Sequence, residues 1–165
     1  MPTLQSISTQ TPDGDFHIII DETGTARASG FGNLHDLKRR LPEELQTVVF
    51  EPVNNHPYEQ LVADYYNGDK TALNSIPRDQ NGSDFQKRVW KAIGEIAHGE
   101  TVSYKELANA SGNPAAIRAA GTICGLNRLI LLIPCHRVLK SDGSIGSYLY
   151  GPAIKESLLR HEGAI

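Results

Sequence analysis

A chain of 165 residues suits one domain, or one domain with a smaller appendage, and can bury a sizeable core. Hydrophobic residues make up 39% and charged residues 21%, as in an ordinary soluble protein, and no apolar run approaches the roughly 20 residues that span a bilayer. The N-terminal sequence lacks the basic and apolar regions of a signal peptide, so we expect a cytoplasmic protein with no membrane partner.

The formal net charge of −3 is unevenly distributed along the chain. Residues 1–82 carry 6 basic and 12 acidic side chains, a net of −6, whereas residues 83–165 carry 10 and 7, a net of +3. A basic C-terminal half could face a polyanion while the acidic half faces away, although solvated surfaces also segregate charge by chance.

The N-terminal half predicts a small layer of strands and helices. The predicted strands are Phe16–Ile20, Ala26–Phe31 and Thr47–Phe50. The predicted helices are Leu34–Leu41, which Pro42 stops, and a longer one that Pro57 opens and Asn67-Gly68 ends. A polar connection over residues 69–82 follows, and we divide the chain into an acidic α/β domain at 1–76 and a second domain at 77–165.

The C-terminal half predicts a helix, a tight turn and another helix. Asp84–Ala97 reads as a helix that begins in a capping box. A second capping box, at Ser103 and Glu106, opens a short helix that ends before the turn Ser111–Pro114. A further helix over Ala115–Leu126 would complete a helix-turn-helix unit, in which the second helix usually faces DNA.

The composition of this last helix is unusual. It is rich in small side chains, and Arg118 carries its only charge. Small residues would let the helix backbone approach another surface closely while a single arginine inserts into it. Tight packing in the core, with Arg118 at the rim, explains the same composition, so composition alone leaves both interpretations open.

A candidate nucleophile follows the apolar run Leu129–Ile133, which predicts a buried strand. Cys135 lies just after this run and directly before His136 and Arg137. A free thiol is only about 3% ionised at pH 7, so a reactive cysteine needs a neighbour that takes its proton or stabilises its anion. Cys135 could equally be one more buried thiol, but two ionisable residues directly after it would suit a dry core poorly.

Metal and cofactor sites are not expected. The two cysteines form no Cys-x-x-Cys pair and the six histidines are scattered without i,i+4 pairs. We therefore predict a reduced chain without metal ligands and with no cofactor.

The motifs of the C-terminal half together carry a family resemblance. They are Phe85–Trp90, Thr101–Tyr104, Arg118–Gly121, Asn127, Ile133–Val138, Lys140–Gly143, Tyr148, Lys155 and Leu158–Gly163. In this order they resemble the methylated-DNA–protein-cysteine methyltransferases, also called O6-alkylguanine-DNA alkyltransferases. The resemblance is close over residues 83–163. It implies an α/β (α+β) fold, with a small N-terminal sheet-and-helix domain before a mainly helical domain that contains the helix-turn-helix.

The resemblance implies a DNA-repair enzyme. Such a protein flips O6-alkylguanine, and by extension O4-alkylthymine, out of duplex DNA and transfers the alkyl group to its own Cys135. Because a thioether is a poor leaving group, the reaction would occur once per molecule. The expected partner is double-stranded DNA bearing the lesion, bound by a monomer through the minor groove.

The catalytic roles follow from the same resemblance. Cys135 would accept the alkyl group, and His136 would deprotonate it through a bridging water while Glu162 orients the ring. The hydroxyl of Tyr104 would help the guanine anion depart. Asn127 would tether the segments around the site.

A DNA-binding surface and a substrate pocket are implied as well. Arg118 would fill the space that the flipped base leaves, and Tyr104 would assist base rotation. The expected DNA-binding residues are Arg118, Ala115, Ala116, Ala119, Tyr104 and Ser103. The expected pocket residues are Val138, Ser147, Tyr148, Leu149 and Tyr150.

Two other classes of protein remain as alternatives. A protein that flips alkylguanine without transfer would lack the cysteine, and a cysteine hydrolase would need no helix-turn-helix. Arg128 after Asn127, Ser147 before the pocket tyrosine, and the loop Leu149–Gly151 depart from the family pattern. These departures leave open which alkyl groups are accepted.

Overall fold

A computed structural model describes residues 3–165 and contains two compact units. One unit comprises the chain up to Gln80 together with Arg128–Leu132, and the other comprises Asn81–Asn127 and Ile133–Ile165. The predicted mixed α/β class is confirmed. The division at residues 76 and 77 stays a prediction about separate domains. Within the described residues, no helix is both long and apolar enough to cross a membrane.

A four-stranded sheet forms the first unit, in the order β3-β2-β1-β4. Its strands are β1 (Leu4–Thr11), β2 (Gly14–Asp21), β3 (Ala26–Phe31) and β4 (Phe50–Val53). The first three pair antiparallel, and β4 pairs parallel with β1. Because a parallel pair needs a long connection, β2, β3 and two short helices separate β1 from β4 in sequence.

The β1–β2 hairpin is the main element that sequence patterning missed, since β1 was not predicted. Its register runs from Leu4 opposite Asp21 to Thr11 opposite Gly14. The turn is Thr11-Pro-Asp-Gly14, in which glycine adopts a φ of 108° that other residues rarely adopt. Strand β1 is mostly polar, so its sequence lacks the apolar alternation that predicts a strand, although Leu4 and Ile7 are buried.

Helices cover the sheet. They are α1 (Leu34–Lys38), α2 (Glu43–Gln46) and α3 (Pro57–Tyr66), followed by a 3-10 turn at Ala72–Ser75. One apolar cluster joins the sheet to the α1 region, and its fully buried members are Leu4, Ile19, Ala28, Leu37 and Leu41. All six residues from Phe16 to Asp21 are buried, so β2 is the central strand of this unit.

Two boundaries in the first unit differ from prediction. Helix α1 ends at Lys38 rather than Leu41, because Leu41 precedes Pro42 and the chain there tightens into a turn with an Arg40 N–H to Leu37 carbonyl bond of 3.0 Å. The predicted strand Thr47–Phe50 is wrong in position: β4 begins at Phe50 and includes Pro52. Proline is tolerated there because β4 is an edge strand.

The apolar run Leu129–Ile133 is not the strand that its composition predicts. Leu129 makes an isolated parallel bridge with Ser29, and the chain then turns, with Leu131 at a φ of 71°. The hydroxyl of Ser29 donates to the Ile130 carbonyl at 2.7 Å, and the guanidinium of Arg78 donates to the Leu132 carbonyl. The segment is therefore a buried turn whose carbonyls bond to side chains of its own unit.

Ser29→Ala is expected to lower the free energy of unfolding by about 1–3 kcal/mol, because the buried Ile130 carbonyl would lose its hydroxyl donor. Chemical denaturation measures the change. Ser157→Ala on an exposed helical surface is the control, with an expected change of no more than about 0.5 kcal/mol. Equal effects of the two substitutions would show that the buried hydrogen bond contributes nothing.

The second unit is mainly helical. Its helices are α4 (Asp84–Gly94), α5 (Tyr104–Ala110), α6 (Ile117–Gly125) and α7 (Pro152–His161). Both predicted capping boxes are present, at Ser83 with Gln86 and at Ser103 with Glu106. The indole N–H of Trp90 donates to the Ile123 carbonyl at 3.2 Å and so links α4 to α6.

Helices α5 and α6 form the predicted helix-turn-helix, and α6 is shorter than the predicted helix Ala115–Leu126. Helix α6 begins at Ile117, because the Ala116 N–H bonds to the Asn113 carbonyl in a separate turn and Ala116 has a ψ of 42°. Ala115 and Ala116 therefore lie in the turn and not on the helix. Helix α4 ends at Gly94, three residues before the predicted Ala97.

Candidate active site

A short parallel strand pair brings the start of α5 beside the cysteine segment. Strand β5 (Val102–Ser103) pairs with β6 (Val138–Leu139), and β6 directly follows a 3-10 turn at Cys135–Arg137. Pro134 directly precedes this turn, and the Cys135 N–H donates to the Ile133 carbonyl at 2.8 Å. Cys135 carries a reduced thiol, and 6% of the residue's surface is exposed.

His136 and Glu162 form a fully buried pair. The His136 Nε2 atom lies 2.8 Å from Glu162 Oε2, and both side chains are 0% exposed. Glu162 caps the C-terminal end of α7. With Nε2–H assigned as the donor to the carboxylate, Nδ1 carries a lone pair, and among the described residues no protein atom bonds to it.

The environment of His136 favours the neutral ring. Burial lowers the pKa of His136 most strongly, the hydrogen bond and charge of Glu162 raise it, and the positive charges of Arg137 and Lys155 lower it further. The net effect is a pKa below the ordinary value. A neutral imidazole with an available nitrogen is a base that can accept a proton from a thiol.

The lowered pKa of His136 predicts a loss of stability in mild acid. Above a pH of about 6.5 the ring is neutral in both the folded and the unfolded chain. Below this pH the unfolded chain binds a proton at His136 and the folded chain does not. The free energy of unfolding therefore decreases as the pH is lowered, until the pH reaches the folded-state pKa of His136.

Denaturation of wild-type protein and His136→Gln at several values from about pH 7.5 to 5.5 measures this effect. The wild type is expected to lose up to about 1.4 kcal/mol per pH unit more than the variant, the amount that one proton contributes. His35→Gln, which changes an exposed histidine, is expected to keep the wild-type slope. Identical slopes with and without His136 would contradict the prediction.

Lys155 is a buried cation in this site for which the motif match gave no role. Its ammonium donates to the Val138 carbonyl at 2.7 Å and to the Ser147 carbonyl at 3.3 Å. Burial lowers the pKa of Lys155, and the charges of the Cys124 and Cys135 thiols raise it in part. A sequence signal exists: Lys155, Leu158, Leu159 and Glu162 share one buried helical face, where two charged residues are out of place.

Cys124 on α6 is a second thiol beside Cys135. Its sulfur lies 3.9 Å from the Cys135 carbonyl oxygen. Hydrogen bonding to the Cys135 side chain, followed by burial, raises the pKa of Cys124 above the usual range for a thiol. Cys124 therefore stays protonated near neutral pH, which distinguishes it from a reactive cysteine.

Tyr104 lies at the first position of α5 with its phenol near both thiols. Burial, together with the charges of Cys124 and Cys135, raises the pKa of Tyr104 to about 12. Its hydroxyl keeps its proton at neutral pH and can donate it in a hydrogen bond. A depression of about 620 Å³ opens here to solvent, lined by Tyr104, Ile117, Arg118, Gly121, Thr122, Lys140 and Ser147.

The predicted DNA-binding residues are distributed over α6, its preceding turn and the start of α5. Arg118 and Ala119 are exposed on α6, Ala115 is exposed in the turn, and Ala116 is half-buried. Ser103 is the N-cap of α5, and its hydroxyl accepts the Glu106 N–H at 3.0 Å. Arg118 and Tyr104 share the depression, whereas Ser103 lines a neighbouring one with Pro114.

The predicted pocket residues and Asn127 differ in their burial and in their bonding partners. The Asn127 side chain donates to the Ile133 carbonyl at 2.8 Å, which ties the end of α6 to the residues before Cys135. Val138 is fully buried, and Ser147 is joined to Lys155 through its carbonyl. The remaining three form a loop in which the rings of Tyr148 and Tyr150 are 6.1 Å apart and Leu149 is half exposed.

Comparisons with known proteins show which family the chain resembles. Residues 84–164 match the family model of the 6-O-methylguanine DNA methyltransferase DNA-binding domain. The chain is 32% identical to a methylated-DNA–protein-cysteine methyltransferase of Salmonella typhimurium, over 93% of this chain and 92% of that protein. It is 39% identical over 78% of its length to the bifunctional transcriptional activator and DNA repair enzyme Ada of Escherichia coli, of which it spans 38%.

A solved structure extends the likeness to both units. The crystal structure of Mycobacterium tuberculosis OGT in complex with DNA has a TM-score of 0.73 and 27% identity to this chain, and covers 97% of this chain and 93% of that one. The chain belongs to the family of methylated-DNA–protein-cysteine methyltransferases.

Proposed function

We propose that this protein repairs duplex DNA by moving the alkyl group of O6-alkylguanine, and of O4-alkylthymine, to Cys135 in a single irreversible turnover. The observation that carries the proposal is the position of Cys135 directly before the buried His136, whose Nδ1 bonds to no protein atom among residues 3–165. Family membership supplies the alkyl transfer. A protein that only reads the lesion would have no use for this nucleophile and base.

The transfer balances without a cofactor or metal. His136 Nδ1 accepts the thiol proton through a bridging water, and the Cys135 sulfur attacks the alkyl carbon. The carbon–O6 bond breaks as the carbon–sulfur bond forms, and the Tyr104 hydroxyl donates a hydrogen bond to the departing guanine anion. The proton that His136 took from the thiol then passes through water to the guanine, which leaves as the neutral base. Lys155 contributes a buried positive charge that opposes the negative charge of the thiolate.

Recognition of DNA is proposed for the surface around α6. The exposed Arg118 next to small residues suits insertion into a minor groove, where a side chain replaces the flipped base. Tyr104 lines the same depression and would stack against or rotate the nucleotide. Asn127 would hold the cysteine segment, and the loop Ser147–Tyr150 would close over the alkyl group. We propose that the protein acts as a monomer in the cytoplasm.

The test is reaction with duplex DNA that carries O6-methylguanine. The intact mass should rise by one methyl group per protein and then saturate, and peptide mapping should find the methyl group on Cys135 and not on Cys124. Cys135→Ala should bind the duplex without a change of mass. Binding without methylation of the wild type would instead identify a lesion reader, and repeated turnover would identify a hydrolase.

A further inference from the structure

We propose that Arg137 is a positioning residue for alkyl transfer: its guanidinium neutralises the buried Glu162 carboxylate and thereby keeps His136 in the neutral form that accepts the thiol proton. The proposal rests on the function proposed for Cys135 and His136. It gives a role to a charged residue that the mechanism above does not use.

The geometry shows one carboxylate shared by two partners. Arg137 Nε lies 2.7 Å from Glu162 Oε1, and Arg137 Nη2 lies 3.0 Å from Oε2, in a two-point fork. His136 Nε2 lies 2.8 Å from the same Oε2. Both oxygens of Glu162 are therefore engaged by the arginine before the histidine is counted.

The charges of this cluster then decide the state of the histidine. A buried carboxylate beside one guanidinium has no net charge. A second proton on His136 would place an uncompensated cation in a site where the imidazole and the carboxylate are 0% exposed, which is strongly unfavourable. Without Arg137, the natural partner of the Glu162 anion would be a protonated His136, which cannot accept a proton from Cys135.

The arginine is held in place independently of the histidine. Its Nη1 atom donates to the Ile96 carbonyl, just beyond the end of α4, at 2.6 Å. The guanidinium thus bonds the backbone after α4 and the carboxylate that caps α7. A lysine at this position would keep the charge but not the fork, because an ammonium is a point charge on a flexible stem.

The other ionisable groups of this site come from α7, from α6 and from the turn that holds His136 itself. Lys155 and Glu162 lie on and at the end of α7, Cys135 precedes the ring in its own turn, and Cys124 lies on α6. Lys155 acts in the same direction as Arg137 and Glu162 acts in the opposite one. Lys155 donates to the carbonyls of Val138 and Ser147, whereas Arg137 alone of the two cations bonds the carboxylate in the described structure.

The experiment measures the rate of Cys135 alkylation by free O6-benzylguanine against pH, which removes any effect of DNA binding. The variants are Arg137→Gln and Arg137→Lys, and Arg160→Gln is the matched control because Arg160 pairs with Glu156 on the exposed face of α7. In the plot of rate against pH, the acid limb is the range in which the rate rises as His136 loses its proton. We expect the midpoint of this limb for R137Q to lie about one to two pH units above that of the wild type. R137K and R160Q should keep the wild-type limb, with R137K about tenfold slower at the plateau.

Each outcome bears on a separate claim. An acid limb of R137Q that coincides with the wild type or lies below it overturns the inference, and so does an equal displacement of R137K and R137Q. A merely structural role would lower stability and rate without moving the limb. A wild type that is never alkylated refutes the proposed function itself.

A measurement on the wild type covers the case in which R137Q does not fold. Nitrogen-15 NMR of labelled histidine should show His136 neutral, with its proton on Nε2, at a pH of about 6.5, where an ordinary histidine is half protonated. A ring that is protonated at neutral pH would overturn the inference.

Discussion

Glu162→Ala is expected to destabilise the protein by about 3–5 kcal/mol and to abolish alkyl transfer at neutral pH. The substitution removes the partner of both His136 Nε2 and the Arg137 fork. The guanidinium would keep only its bond to the Ile96 carbonyl and would remain largely buried without a counter-charge. Such a loss is much larger than the typical effect of one substitution.

Chemical denaturation and the rate of transfer from O6-methylguanine duplex measure the two effects of this change. The control is Glu156→Ala, six residues before Glu162 on α7, whose carboxylate pairs with Arg160 at 3.1 Å while 44% exposed. An exposed pair of this kind contributes about 0–1 kcal/mol. A Glu162→Ala protein as stable as the Glu156→Ala protein would show that the buried cluster does not hold the unit together.

Arg118→Ala is expected to slow transfer from duplex DNA by about 10–100-fold and to leave transfer from free O6-benzylguanine within about threefold of the wild type. Extruding a base costs a few kilocalories per mole of unstacking and unpairing, which an inserted side chain offsets in part. The free base needs no extrusion. Arg118 is exposed on α6 and lines the depression beside Tyr104.

The ratio of the two rates is the informative quantity. Arg160→Ala removes another exposed arginine, from α7, and should change neither rate. A parallel loss with both substrates would mean that Arg118 supports the fold of the site and does not take part in base extrusion. Unchanged rates with both would remove Arg118 from the proposed DNA-binding surface.

Local signals predicted much of the second unit. Capping boxes fixed the starts of α4 and α5 because they specify reciprocal hydrogen bonds between a side chain and the backbone. The start of α6 was harder to predict, because Ala115 and Ala116 are good helix formers that nevertheless lie in the turn before the helix. Local helix propensity does not determine whether such residues join the helix or the turn before it.

Tertiary effects explain what patterning missed in the first unit. Strand β1 was overlooked because its buried and exposed positions include polar residues such as the fully buried Ser6. Strand β4 lies three residues later than predicted and includes Pro52, which an edge position in the sheet tolerates. In the site, the motif match predicted Cys135, His136 and Glu162 as a group, but not that Arg137 shares the carboxylate of Glu162.

The first unit consists of two separate stretches of the chain, so the two units cannot be divided by a single cut in the sequence. The five residues Arg128–Leu132 belong to that unit although the chain before and after them belongs to the other. A gene fragment encoding residues 81–165 would carry this insertion without Ser29 and Arg78, which bond its carbonyls. Four consecutive leucine and isoleucine side chains, Leu129–Leu132, would then lose part of their burial, so we expect residues 81–165 to be less stable when they are exchanged as one uninterrupted segment.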